Sequence, residues 1–199
     1  MGEKSGQKKI HILENARRVF AEKGFRDVSM QDIVEAANIS RGGLYLHFDR
    51  VEDIFSAVLK MEQEQGDGGG GDGLPAEAAA SDILALFMKE QKKDILRKKN
   101  SLTIAIYEYY FYLNCKKKKI APKENIIKQQ FETGVLILEN LIRGGISAGE
   151  FYCEDPHGMA GNIMYTLEGL KVTARTLGIP EAVVDKELLY IMQGLVFED

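Results

Sequence analysis

An all-α fold of about nine helices is predicted by three observations on this 199-residue chain. Apolar residues recur at three- and four-residue spacing from Ile12 to Leu195, as the faces of amphipathic helices do. No stretch of useful length alternates apolar and polar residues as a half-buried strand would. Ser, Asn, Gly and Pro stand where the periodic stretches begin and end, which is where helix caps and stops belong.

Lys8 to Lys23 forms the first helix, with Ile12, Leu13, Ala16, Val19 and Phe20 on one stripe and Gly24 as its stop. Ser29-Met30-Gln31-Asp32 opens the second. Ser29 is the N-cap, the carboxylate of Asp32 three residues later is close to a capping box, and Ile33, Val34, Ala36 and Ala37 supply apolar contacts. Asn38 ends it, because Asn tolerates the left-handed backbone of a tight exit, and Ile39 turns inward. Ser40 then caps a third helix over Arg41 to Phe48, about two turns long. Gly42 and Gly43 each cost about 1 kcal/mol against Ala in a helix. The pair is explained if the backbone must approach another molecule closely, with Arg41 as a fixed charge and Tyr45 and His47 as donors. Helix, short turn, helix is the helix-turn-helix arrangement, whose second helix enters the major groove of DNA. Phe20, Phe25, Ile33, Leu44 and Phe48 are the expected centre of this three-helix core.

Across residues 8 to 59, Ala16, Phe20, Gly24, Phe25, Ser29 to Ile33, Ala36, Ala37, Ser40, Leu44, Tyr45, His47 and Phe48 together resemble the DNA-binding domain of the TetR family of transcriptional regulators. The resemblance implies an all-helical homodimer with an N-terminal DNA-binding domain and a variable ligand-binding domain. It also implies repression relieved by a small molecule. The domains are expected at 1–50 and 51–199. The expected DNA-binding residues are Ser29, Ser40, Arg41, Gly42, Gly43, Tyr45, His47 and Arg50. Members of the family commonly carry a phosphate-binding Lys shortly after the His-Phe pair. Here that position is Val51, and the adjacent Arg50 is the expected substitute.

Glu52 to Gln65 continues as a fourth helix with Ile54, Val58 and Met61 on one side. Residues 66–75, which hold six glycines and Pro75, read as a surface loop within the second domain. A phosphate-binding loop is disfavoured there, since no Gly-Lys-Ser/Thr follows and no strand precedes. Ser81 is expected to cap a fifth helix carrying Ile83, Leu84, Phe87, Met88, Ile95 and Leu96, and Ser101 to Cys115 is expected to form a sixth. Lys116 to Lys119 reads as a solvated interhelical loop. Pro122 opens a long helix to about Ala148, with Ile126, Ile127, Phe131, Val135, Leu138 and Leu141 inside, and Gly149-Glu150-Phe151 turns the chain. Pro156 to Leu177 and Pro180 to Val196 form a helical hairpin with broad apolar stripes. Those stripes fit an intramolecular core as well as they fit a dimer contact. The resemblance favours a homodimer through these two C-terminal helices, meeting a palindromic double-stranded operator.

Tyr107 to Tyr112 places five aromatics in six residues. Tyr107, Glu108, Tyr110 and Phe111, with Phe87, Met88, Phe131, Met164, Tyr165 and Glu168, are the candidate ligand-binding residues. Aromatics around Glu108 or Glu168 suit a lipophilic or cationic effector. Ordinary core with tyrosine hydroxyls at the surface is the plainer reading of any one of them.

The net charge of −4 argues against nucleic acid until its distribution is considered. Residues 1–60 hold ten Lys or Arg against nine Asp or Glu, so the negative balance lies beyond the reading head. Cys115 and Cys153 lack a pairing motif, which fits a reducing compartment. No run approaches the roughly 18 apolar residues of a membrane span. Met1 to Lys9 has no apolar signal core, and the cytoplasm is the expected setting. His11, His47 and His157 lie far apart and outside metal-binding spacing, and no Ser or Cys carries a nucleophile motif. No metal, cofactor or catalysis is therefore expected. A helical protein-binding module would explain the body but would leave Gly42 and Gly43 without a purpose.

Overall fold

The structure is a computed structural model that describes residues 2–66, 78–97, 99–116 and 125–195. The expected glycine-rich loop beyond residue 66, the lysine run beyond Lys116 and the expected helix start at Pro122 lie outside the described residues. Among the described residues are nine helices and no strand: α1 (Gly2–Lys23), α2 (Met30–Ala37), α3 (Arg41–Tyr45), α4 (Val51–Gly66), α5 (Ala80–Leu96), α6 (Thr103–Cys115), α7 (Ile126–Ser147), α8 (Pro156–Thr176) and α9 (Glu181–Gln193). Among those residues no helix is long and apolar enough to cross a membrane.

The helices divide into two compact units. The first holds α1 to α4 together with α6, and the second holds α5 and α7 to α9. Phe25 and Phe55 bring α6 into the first unit, because their rings pack against Tyr109 of that helix.

In the first unit Ile12, Ala16, Phe20, Ile33, Leu44, Ile54, Phe55 and Val58 are fully buried, and Phe25 and Phe48 nearly so. Phe20 meets Phe55 edge-on with ring centroids 4.6 Å apart. Tyr109 of α6 packs against Phe25 and Phe55 at 5.0 and 5.1 Å. Polar contacts fix the same elements. His11 Nε2 lies 3.0 Å from the carbonyl of Ala37, joining α1 to the end of α2. Glu108 Oε2 accepts from the backbone N–H of Phe25 at 2.6 Å and of Arg26 at 3.1 Å. Tyr112 donates its hydroxyl to Glu52 at the start of α4, 2.7 Å away.

The second unit closes around Leu84, Ile95, Leu138, Ile142, Ile163, Leu167, Val184 and Leu188. Gly145 is required by close packing, since a Cβ there would stand 2.1 Å from the Phe151 ring. Ser81 is not the N-cap of α5, contrary to expectation. Ala79 occupies that position, and the N–H groups of Ala80 and Ser81 donate instead to the Glu150 carboxylate at 3.1 and 2.9 Å. The Ser81 backbone contact, joined by the Ser81 hydroxyl, holds the Glu150 carboxyl below its ordinary pKa. A carboxylate satisfies two free helical donors at once and is attracted by the helix dipole, which one hydroxyl matches less well. Asn125 caps α7, accepting from Lys128 N–H at 3.1 Å. Asp155 caps α8 ahead of Pro156.

Candidate nucleic-acid interface

Local chemistry dictates the path from α2 to α3. Ser29 and Asp32 form a reciprocal capping box, with Ser29 N–H donating to Asp32 Oδ2 at 2.7 Å and Asp32 N–H donating to Ser29 Oγ at 3.2 Å. Lys23 Nζ lies 2.5 Å from Asp32 Oδ1. That ammonium, and then the Ser29 hydroxyl and N–H, hold the Asp32 carboxyl well below the usual carboxylate range. Asn38 sits in the left-handed region at φ 50° and ψ 50° and ends α2. Its N–H donates to the Glu35 carbonyl, and Ile39 N–H donates to that of Val34. Ser40 then caps α3 by accepting from Gly43 N–H at 3.1 Å.

The resulting surface separates the two glycines. A Cβ at Gly42 would meet nothing within 4 Å, so this position faces open space and leaves the backbone bare for a partner. Gly43 is buried. A Cβ there would stand 3.1 Å from Ser40 Oγ and 3.7 Å from Lys8 Nζ, so its absence makes room for the cap as well. Arg41 is exposed and holds its guanidinium 5.7 Å from the Tyr45 ring centre. Tyr45 is 41% exposed and Leu46 83%. The regular helix ends at Tyr45, earlier than the expected Phe48, and His47 and Phe48 both donate their N–H to the Leu44 carbonyl in a closing turn. His47 is half-buried there.

Arg50 is ion-paired with Asp53, one turn on, at 3.2 Å, and that carboxylate raises its already high pKa. Val51, half-buried, opens α4. Two cations that sequence reasoning did not single out stand at this face. Lys8 is the one beside Gly43, and Lys9 lies 5.6 Å from the Phe48 ring centre. Both are exposed residues of α1, brought beside α3 only by folding.

The candidate ligand-binding residues fall in both units. Tyr107, Glu108, Tyr110 and Phe111 belong to α6 in the first, where Tyr110 is buried and Phe111 is 64% exposed. Phe87, Met88, Phe131, Met164, Tyr165 and Glu168 belong to the second. There Phe131 and Tyr165 lie with ring centres 4.9 Å apart, Met164 packs against Gly134, and Lys171 Nζ lies 3.0 Å from Glu168.

Residues 12–58 match the model of a family described as bacterial regulatory proteins, tetR family. Residues 83–185 match one described as tetracyclin repressor-like, C-terminal domain. The HTH-type transcriptional regulator YfiR of Bacillus subtilis is 24% identical over 156 residues, covering 77% of this chain and 73% of that protein. The HTH-type transcriptional repressor KstR2 of Rhodococcus jostii is 40% identical over 57 residues, covering 29% of this chain and 28% of that protein. The fold is shared with a solved transcriptional regulator of Saccharomonospora viridis in complex with choline. Its TM-score is 0.77 and its identity 18%, with coverage of 97% of this chain and 100% of that one.

Proposed function

This chain belongs to the TetR family of bacterial regulatory proteins and is a DNA-binding transcriptional regulator, and from that premise we propose how its own residues perform the task. Residues 1–50 form the reading head, in which α3 enters the major groove of a palindromic operator. Arg41 reads a base edge, Gly42 brings the backbone close, and Ser29, Ser40, Tyr45 and His47 meet the phosphate backbone. Gly43 keeps the Ser40 cap in place, and Arg50 reaches phosphate in spite of its pairing with Asp53. Residues 51–199 carry dimerisation, through α8 and α9, and effector binding. The protein acts beside the chromosome in the cytoplasm as a repressor that leaves its operator when a small molecule binds.

One observation carries the reading. Two capped helices joined through a left-handed Asn38 present Arg41, Tyr45 and the open backbone of Gly42 on one exposed surface. A structural core alone has no use for that combination. For the effector we favour the second unit, with the aromatic and thioether groups of Phe87, Met88, Phe131, Met164 and Tyr165, and with Glu168 as counter-charge. Choline, present in a structural neighbour, is a quaternary ammonium and has the chemistry that aromatic faces attract.

The decisive experiment is a mobility shift of the full-length protein on the promoter region next to its own gene. A selective shift that weakens steeply with added salt is expected. A shift that unrelated competitor DNA removes equally well overturns the proposal. Choline is the first effector to try. A coupling of about 1 to 3 kcal/mol would lower operator affinity roughly 5- to 150-fold, and operator would weaken effector binding by the same factor.

A further inference from the structure

Beside the reading helix lies a groove of about 270 Å³ lined by Met30, Gln31, Val34 and Arg41. Met30 and Val34 are half-buried residues of α2, while Gln31 and Arg41 are exposed at its edges. The Gln31 carboxamide donates to Glu35 Oε1 at 2.8 Å, which ties it along α2. The groove is thus continuous with the face that carries α3. It offers thioether and methyl groups where the neighbouring Arg41 offers a charged fork.

We propose that this groove receives the C5-methyl edge of a thymine adjacent to the base that Arg41 reads. The inference rests on the DNA-binding function proposed above and specifies part of the operator. In the major groove cytosine presents an amino donor, adenine a donor and an acceptor, and guanine two acceptors; thymine alone adds a methyl group. Met30 and Val34 have no group to pair with an amino donor, so one seated against them, away from the Gln31 carboxamide at the edge, is left unsatisfied. A thymine methyl meets them as apolar surface. Arg41, at the lip, has the planar two-donor geometry that matches O6 and N7 of guanine. Each operator half-site therefore contains a guanine with a thymine methyl beside it.

The test uses the duplex that full-length protein selects from a random-sequence pool. Each thymine is replaced in turn by deoxyuridine, which deletes one methyl and preserves pairing. One thymine per half-site, next to the guanine whose selection Arg41→Ala abolishes, is expected to bind about three- to fivefold more weakly without its methyl. Met30→Ala and Val34→Ala, both at half-buried surface positions, are each expected to bring that ratio toward one. A selected operator in which no thymine responds to loss of its methyl overturns this inference alone. So does a response that both variants leave unchanged. Failure to select any sequence overturns the DNA-binding function with it.

Discussion

Asp32 joins two helices through one carboxylate. It accepts from the Ser29 N–H and hydroxyl at the start of α2 and pairs with Lys23, the last residue of α1. Because its pKa in the folded protein lies below the ordinary carboxylate value, its contribution to stability is complete above an unfolded pKa of about 3.9. The contribution is lost as pH falls toward the folded value. In urea denaturation, wild type should exceed Asp32→Asn by its full margin at neutral pH. The margin should shrink steadily below pH 4, and one that is constant with pH would rule the ion pair out as its source. Removing the other half of the box, by Ser29→Ala, should cost about 1 kcal/mol. Arg41 and Tyr45 separate differently, through DNA. Arg41→Ala should relax preference at one base pair, whose discrimination is worth about 1 to 3 kcal/mol. Tyr45→Ala should weaken all operator variants alike, by roughly tenfold for one lost hydrogen bond to a charged phosphate. Titrations across a panel of single-base operator variants distinguish the two patterns.

At the scale of elements, Gly24 and α6 form one device. Gly24 ends α1 with φ +80°, and a Cβ there would stand 2.6 Å from Glu108 Oε2. Gly24→Ala should therefore combine left-handed strain of about 1 to 2 kcal/mol with displacement of the carboxylate from the Phe25 and Arg26 N–H groups. Once it is displaced, Glu108→Ala has little left to remove. The double variant should lose clearly less stability than the two single losses added, and strict additivity would show that Glu108 stays seated. Gly24 was legible in the sequence as a helix stop, as were the caps at Ser29, Asn38 and Ser40, because each acts on backbone within a few residues of itself. The destination of α6 was not. Its aromatics announce burial without naming a partner, and the Glu108 contact to Phe25 spans 83 positions. The same limit hid Glu150 beneath α5 and Lys8 beside Gly43. In all three, a charged side chain comes beside backbone distant in sequence, and no local pattern records it.

Across the whole molecule, charge and symmetry set the last expectation. A head whose first 60 residues carry ten cations against nine anions has little long-range attraction for DNA. Two heads linked in the proposed dimer would compensate, because the second would bind from a high effective concentration and raise affinity by about 10² to 10⁴. The apolar stripes of the last two helices fit an internal core and a dimer contact equally well in the sequence, and the structure buries most of them in the core, leaving other apolar residues of α8 and α9 exposed. Ile163, Leu167, Val184 and Leu188 are buried within the second unit, whereas Tyr165, Val172, Val183, Leu189 and Tyr190 are 40% to 70% exposed. The exposed set is the one available to a second copy. The pair Val172→Glu and Leu189→Glu places two charges there without touching the core. Sedimentation should then report a monomer with unchanged helical circular dichroism, and operator affinity should fall by at least about 100-fold. A monomer that still binds the operator at wild-type strength would mean that one weakly basic head suffices, and the exposed faces of α8 and α9 would then need a different partner.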